Sequence, residues 1–183
     1  MQQWRRVASH FNRVTAFDET VFALMGVSII FVALVIVAVT GWSFLSLEAP
    51  LSLAWAIRIG LLFLLLSQTV GGAMIDNDSN TFGAAGAAKV PHALTLHAVQ
   101  VLPALAWVLG FADLDERTRL RVVGVGALGY GSISAVAMLQ AFGGRATFDL
   151  LPSLTTLLVA GVGLLLSATV SAVLAVYRRP VAA

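Results

Sequence analysis

Residues 21–40 read VFALMGVSIIFVALVIVAVT, twenty residues without a charged side chain. An α-helix rises about 1.5 Å per residue, so this stretch would be about 30 Å long, which matches the hydrocarbon core of a bilayer. It is too long for the apolar part of a cleavable signal peptide, and no small-residue cleavage site precedes Gly41 and Trp42. The stretch therefore predicts a transmembrane helix that stays in the mature protein.

Four more stretches further along the chain pass the same length test. Pro50, Pro91 and Pro152 stand where predicted helices begin, the position at which a missing backbone N–H does least harm. Pro103 lies inside a predicted helix and should kink it. Because the connections are short, we predict an all-α membrane bundle, a single five-helix domain over residues 18–183. The four further predicted spans are 53–75, 92–111, 120–142 and 152–177.

The composition excludes several classes of protein. Of the 183 residues, 59% are hydrophobic and 11% are charged, whereas a soluble domain carries about 25% charged residues. The long apolar blocks also exclude the alternating pattern of an outer-membrane barrel. With no cysteine, the chain has no disulfide, thiolate metal site or cysteine nucleophile. The net charge of +2 comes from arginines at the predicted membrane edges, so we expect no nucleic-acid partner.

Residues 1–17 have an amphipathic pattern. Apolar residues recur at helical spacing, and arginine and small polar residues fill the opposite face. A basic amphipathic helix of this kind is expected to lie on the surface of an anionic lipid bilayer. We therefore predict a separate interfacial helix over residues 1–17. The apolar residues are Trp4, Val7, Phe11 and Val14, and the polar ones are Arg5, Arg6, Ser9, Asn12 and Arg13.

The orientation is nearly balanced by charge. Five basic residues fall on each side of the predicted bundle, so the positive-inside rule does not decide between the two orientations. Anionic lipid is richest on the cytoplasmic leaflet, which favours a cytoplasmic basic N-terminal segment. We expect a multi-pass protein of the bacterial plasma membrane with its N-terminus inside.

Small residues recur every fourth position in the last two spans. Ala127, Gly131 and Ala135 form one stripe, and the other runs through Gly163, Ser167, Ser171 and Ala175. Such stripes let helix backbones approach closely, so we expect these two helices to be neighbours or one of them to form a dimer face. The run from Gly124 to Gly129 matches GxGxxG. It lies inside a predicted membrane helix, where no free amides meet a pyrophosphate, so packing explains it better than dinucleotide binding.

Polar side chains within the spans suggest a functional site, because they are costly in lipid. Threading the chain back and forth places five of six such residues toward the side that carries the N-terminus. We predict a pocket there, with one arginine and two aspartates at its mouth; the sixth residue, Arg58, is expected to pair with Glu48 or reach the membrane surface. The predicted lining is Gln68, His92, His97, Gln100 and Gln140, with Asp76, Asp78 and Arg145 at the mouth.

The run from Pro91 to Pro103 is the centre of this prediction. His97 and Gln100 are three residues apart and share a helix face, so they could contact one group. His92 and His97 are about 140° apart around a helix and cannot both point at one small centre. We therefore predict His97 as the titrating or ligating group and Gln100 as its polar neighbour.

Three functions remain open on the sequence. In the first, the pocket binds or transports a proton, a cation or a small polar solute, and a homo-oligomer is expected because the chain is short and lacks an internal repeat. In the second, the protein is a redox subunit that binds haem b or a quinone through His97 or His92. In the third, it is an accessory subunit of a larger membrane complex. An enzyme is less well supported, since Asp76 and Asp78 are better explained by a solvated turn than by a metal site.

Overall fold

The computed structural model describes residues 6–7 and 11–178. It has five helices, and each is long enough and apolar enough to cross a membrane, so the chain is a multi-pass membrane protein with an all-α bundle. The five predicted spans are confirmed, and most are longer than predicted. The helices are α1 Ala16–Ser46, α2 Leu51–Asp76, α3 Lys89–Leu109, α4 Glu116–Phe142 and α5 Pro152–Tyr177.

The predicted interfacial helix is wrong where the structure describes it. Residues 11–15 are not helical, and Phe11 has a φ of 56°, in the left-handed region that a helix excludes. The first helix begins instead at Ala16. Thr15 and Asp18 form a capping box there, in which each side chain bonds to the backbone N–H of the other residue. The rest of the prediction, on residues 1–5 and 8–10, lies outside the described residues.

Close backbone contacts join the helices in pairs. α2 packs along α3, α4 packs along α5, and α3 packs on α4 to join the two pairs. A methyl group on Gly60 would lie 2.7 Å from the Cα of Val99, so only glycine permits this approach of α2 to α3. Likewise, a methyl group on Gly129 would lie 2.6 Å from the carbonyl oxygen of Gly161. The prediction that α4 and α5 are neighbours is confirmed.

The residues that make the α4–α5 contact differ in part from those predicted. Gly126 and Gly129, both in the GxGxxG run, face neighbouring helices, which confirms the packing interpretation of that run. The predicted stripe on α5 faces outward, because Gly163 has no neighbour within 4 Å and Ser167 and Ser171 are exposed. The buried face of α5 instead carries Gly161, Ala168 and Ala172.

A small hairpin between α2 and α3 closes one end of the bundle. Its strands are β1 Thr81–Phe82 and β2 Gly86–Ala87, and the sequence analysis did not predict them. The hairpin sits on the end of α4, where the ring of Phe82 lies 5.1 Å from that of Phe142. The turn passes Gly144 so closely that a methyl group on Gly83 would lie 3.0 Å from the Cα of Gly144. Both glycines have positive φ, and together they let the two connections touch.

At the opposite end of the bundle, Arg58 ties α1 to α2. Its Nε donates to the backbone oxygen of Ser43 at 3.0 Å, one of the last carbonyls of α1 that lack a helical partner. Its guanidinium also lies 5.2 Å from the ring of Phe44 and 5.7 Å from that of Trp55. The expected pairing with Glu48 is therefore wrong, because Arg58 is used as a cap for the carboxyl end of α1.

Candidate functional site

Gln140 does not line a pocket. Its side chain is 2% exposed, and its Nε2 donates to the backbone oxygens of Ala146 at 3.0 Å and Asp149 at 2.8 Å. It therefore holds the loop between α4 and α5 in place. The sequence placed it correctly near the end of a span, but the return of the loop over it could not be inferred.

The three residues predicted at the mouth of the pocket lie at or near the loops that connect the helices. Arg145 contacts Asp149 through its Nη2 at 3.0 Å and donates from Nε to the backbone oxygen of the same residue. Asp76 and Asp78 are exposed at the end of α2, and a carboxylate oxygen of Asp78 lies 3.9 Å from the guanidinium of Arg13. These groups do not surround an opening into the bundle.

His92 is a packing residue between α2 and α3. Its Nδ1 lies 2.9 Å from the backbone oxygen of Ser67 and 3.1 Å from the hydroxyl of the same serine. That hydroxyl in turn donates to the backbone oxygen of His92 at 3.1 Å. Ser67 is fully buried, so these contacts fix α3 against α2. Gln68, the next residue, is half-buried and has no hydrogen-bond partner among the described residues.

His97 and Gln100 contact each other, as their spacing predicted. The Nδ1 of His97 lies 2.8 Å from the Oε1 of Gln100, and both side chains are exposed on the outside of the bundle. At about 1.5 Å per residue, they lie about 12 Å and 16 Å along α3 from Lys89, close to the middle of the helix. Two polar side chains therefore face outward at the depth of the lipid chains.

An open cavity of about 400 Å³ lies beside His97, between α3 and α4. We call it the α3–α4 cavity. Its walls are mainly apolar, with the imidazole of His97 on one side and the ring of Tyr130 on the other. Small-ligand sites usually measure about 300–1,000 Å³, so the cavity has room for a ring-sized group. Its lining residues are Lys89, Val90, Ala93, Leu94, His97 and Tyr130.

Tyr130 fixes the two walls of this cavity. Its hydroxyl donates to the backbone oxygen of Leu94 at 2.6 Å, and its ring packs edge-on against Phe63 with centroids 6.0 Å apart. No role for Tyr130 or Lys89 was predicted from the sequence, although a tyrosine inside an apolar span was a usable signal. Burial of its hydroxyl predicts a hydrogen bond to a neighbouring helix.

The structure does not bring the five predicted lining residues to one place, and only His97 of them borders the α3–α4 cavity. His92 faces α2 and His97 faces outward, as the angle of about 140° between them requires. No group of three or more histidine or acidic side chains suited to a metal ion occurs among the described residues. The chemistry that this site can offer is hydrogen bonding and proton exchange at one imidazole.

We compared the chain with protein-family models, curated proteins and solved structures, and no match was found in any of the three.

Proposed function

We propose that the protein binds a lipid-soluble ligand from within the bilayer, in the α3–α4 cavity, with the polar head of the ligand bonded to His97. One observation carries the proposal: His97 faces outward at mid-helix, beside a cavity with apolar walls. An exposed imidazole is costly in lipid, and a ligand that bonds to it reduces that cost.

The walls of the cavity favour an amphiphilic ring compound over a hydrated solute. Val90, Ala93 and Leu94 offer apolar surface, and the largely buried Tyr130 closes the inner side of the cavity. Because the cavity opens to the outside of the bundle, a molecule dissolved in the lipid can enter it sideways. A quinone or quinol fits this description, since it has a planar ring, an apolar tail and oxygen atoms that hydrogen-bond.

The hydrogen bond to Gln100 sets the role of His97. The Oε1 of Gln100 is an acceptor, so Nδ1 carries the proton of the neutral ring and Nε2 keeps its lone pair. Nε2 can then accept a hydrogen bond from a quinol hydroxyl, and the protonated ring can donate one to a quinone carbonyl. Gln100 acts as a positioning residue, because it selects the tautomer and holds the plane of the ring.

The other functions suggested by the sequence have less support. Transport of a proton, cation or small polar solute calls for a polar path, whereas this cavity has apolar walls and opens sideways. A haem held by two histidines needs a second ligand, and His92 points to Ser67 instead. The haem alternative predicts a different outcome in the experiment below.

The test is photoaffinity labelling of the full chain in lipid nanodiscs with a short-chain azidoquinone, competed by the unlabelled quinone. We expect saturable labelling of α3 or α4 peptides and an apparent affinity about tenfold lower in His97→Leu, the effect of one lost hydrogen bond of about 1.4 kcal/mol. Gln68→Leu is the matched control, because it removes a polar mid-helix group outside the cavity, and we expect it to leave the affinity unchanged.

Two results would contradict the proposal. One is labelling that no excess of unlabelled quinone reduces. The other is an equal loss of affinity in both variants, which would show that His97 has no special part. A Soret absorption band in the purified protein that disappears in His97→Ala would support haem binding in place of quinone binding.

A further inference from the structure

The exposed side of α3 has a regular pattern, and we call it the α3 outer face. It comprises residues spaced four, four, three, four and three positions apart, which keeps them on one line along the helix. From Ala93 onward the intervals alternate between four and three, as they do between the contact positions of two helices that wrap around each other. All six side chains are exposed. They are Lys89, Ala93, His97, Gln100, Ala104 and Trp107.

Several exposed hydroxyl groups elsewhere in the described spans bond to the backbone of their own helix. Ser28 donates to the backbone oxygen of Leu24 at 2.9 Å, and Ser132 donates to that of Leu128 at 2.9 Å. On α5, Thr169 bonds in the same way to the backbone oxygen four residues earlier. A hydroxyl satisfied like this can face lipid at little cost. The α3 outer face differs because its polar groups have bonds left to make.

Gln100 has both donors and an acceptor to spare. Its Oε1 accepts from His97 and keeps a second lone pair, while its Nε2 has two N–H groups with no partner among the described residues. Two such amides facing each other can exchange a pair of hydrogen bonds, each donating from Nε2 to the Oε1 of the other. The group is thus complementary to a copy of itself, which is the requirement of a two-fold interface.

The surroundings of Gln100 allow that approach. Ala93 lies two helical turns before Gln100 and Ala104 lies one turn after it. Neither residue has a side chain beyond Cβ. Small residues at such positions let two helices pack closely in a membrane. His97 lies about 60° around the helix from Gln100, toward the α3–α4 cavity, so its Nε2 stays free when the two amides meet.

We propose that a second copy of this chain docks on the α3 outer face, in parallel and about a two-fold axis that passes between the two Gln100 side chains. The second copy then lies beside the α3–α4 cavity, on the side of Gln100, and leaves the side toward α4 open to the lipid. The dimer does not depend on the proposed ligand, because its central hydrogen bonds use Gln100 and leave His97 Nε2 unused.

Disulfide cross-linking tests this interface without background, since the chain has no cysteine. Ala93→Cys and Ala104→Cys are made singly in the full chain and oxidised in membranes. Val159→Cys is the control, because Val159 is 66% exposed on α5 and lies at a depth similar to that of Ala93. We expect both α3 variants to form a band at twice the monomer mass with a yield about tenfold above that of the control.

A second substitution asks whether the amide pair holds the dimer. Adding Gln100→Leu to Ala104→Cys should lower the yield severalfold, and Gln100→Asn should restore part of it, since an asparagine keeps the same donors and acceptor. Copies that carry two different tags should co-purify, and less so with Gln100→Leu. Equal yields at all three cysteines, or failure of the tagged copies to co-purify, would overturn the proposal. If the protein is a monomer and is still labelled by the quinone, the dimer is excluded and the proposed ligand site is retained.

Discussion

Gln140 near the end of α4 and Gln100 in the middle of α3 are both glutamines, yet their side chains have different roles in the structure. The amide of Gln140 is buried and donates to two loop carbonyls, whereas the amide of Gln100 is exposed and bonds to one histidine. The first closes a connection within the chain. The second leaves bonds to be made with something outside it. Residue type and depth alone therefore do not tell a structural polar group from a functional one.

The largest effect should come from Gln140→Leu. Leucine removes two buried hydrogen bonds that hold the loop between α4 and α5, each worth up to about 1.5 kcal/mol, so we expect the free energy of unfolding to fall by up to about 3 kcal/mol. The measurement is denaturation in mixed micelles followed by circular dichroism. In the same assay, under dilution that keeps copies apart, Gln100→Leu should stay within about 0.5 kcal/mol of the parent chain. If both variants lose equal stability, the contrast between the two glutamines fails.

An intermediate effect is expected for His92→Ala, which extends the comparison to the two histidines of α3. The substitution removes the contacts that bind α3 to Ser67, so the free energy of unfolding should fall by about 2 kcal/mol. Quinone labelling, scaled to folded protein, should not change. His97→Ala is the reciprocal case, because it should lower labelling and leave stability nearly constant. A loss of labelling in folded His92→Ala would place His92 in the ligand site.

The smallest effect belongs to Arg145→Gln. The ion pair with Asp149 is largely exposed, with side chains 36% and 65% accessible, and water screens such pairs. We expect unfolding to change by less than about 1 kcal/mol and quinone labelling to stay the same. Thermal unfolding in detergent and the labelling assay check both. A large loss of labelling would restore the predicted role of Arg145 at the mouth of a site.

The spans were predictable because the signal for them is local. A run such as residues 21–40 is apolar along its whole length, and no neighbouring element is needed to read it. The contact of His97 with Gln100 was predictable for the same reason, since three residues along a helix fix the distance between them. Within one helix, spacing also separated His92 from His97.

The grouping of the predicted site was not predictable, because it depends on which element each side chain meets. Gln140 lies at the right depth for a pocket, but the loop over residues 146–149 folds back onto it. The small-residue stripe of α5 was predicted to contact α4 or to form a dimer face; Gly161 makes the contact with α4 instead, and the dimer face stays a prediction. Choosing between two small-residue faces of one helix requires the neighbouring helix. The role of Tyr130 in the α3–α4 cavity was not predicted for the same reason, because it depends on the contact between α4 and α3.

α1 is attached to the bundle near its two ends, and this has a practical consequence. Its buried residues are Asp18, Thr40 and Ser43, and the positions between the first two are exposed or only partly buried. The exposed positions among them need only be apolar and form a helix of the right length. Exchanges there among valine, isoleucine, leucine and phenylalanine should leave the stability of the fold unchanged. A spin label or fluorophore at Phe31, which is 67% exposed, would report on the surrounding lipid while the rest of the molecule stays undisturbed.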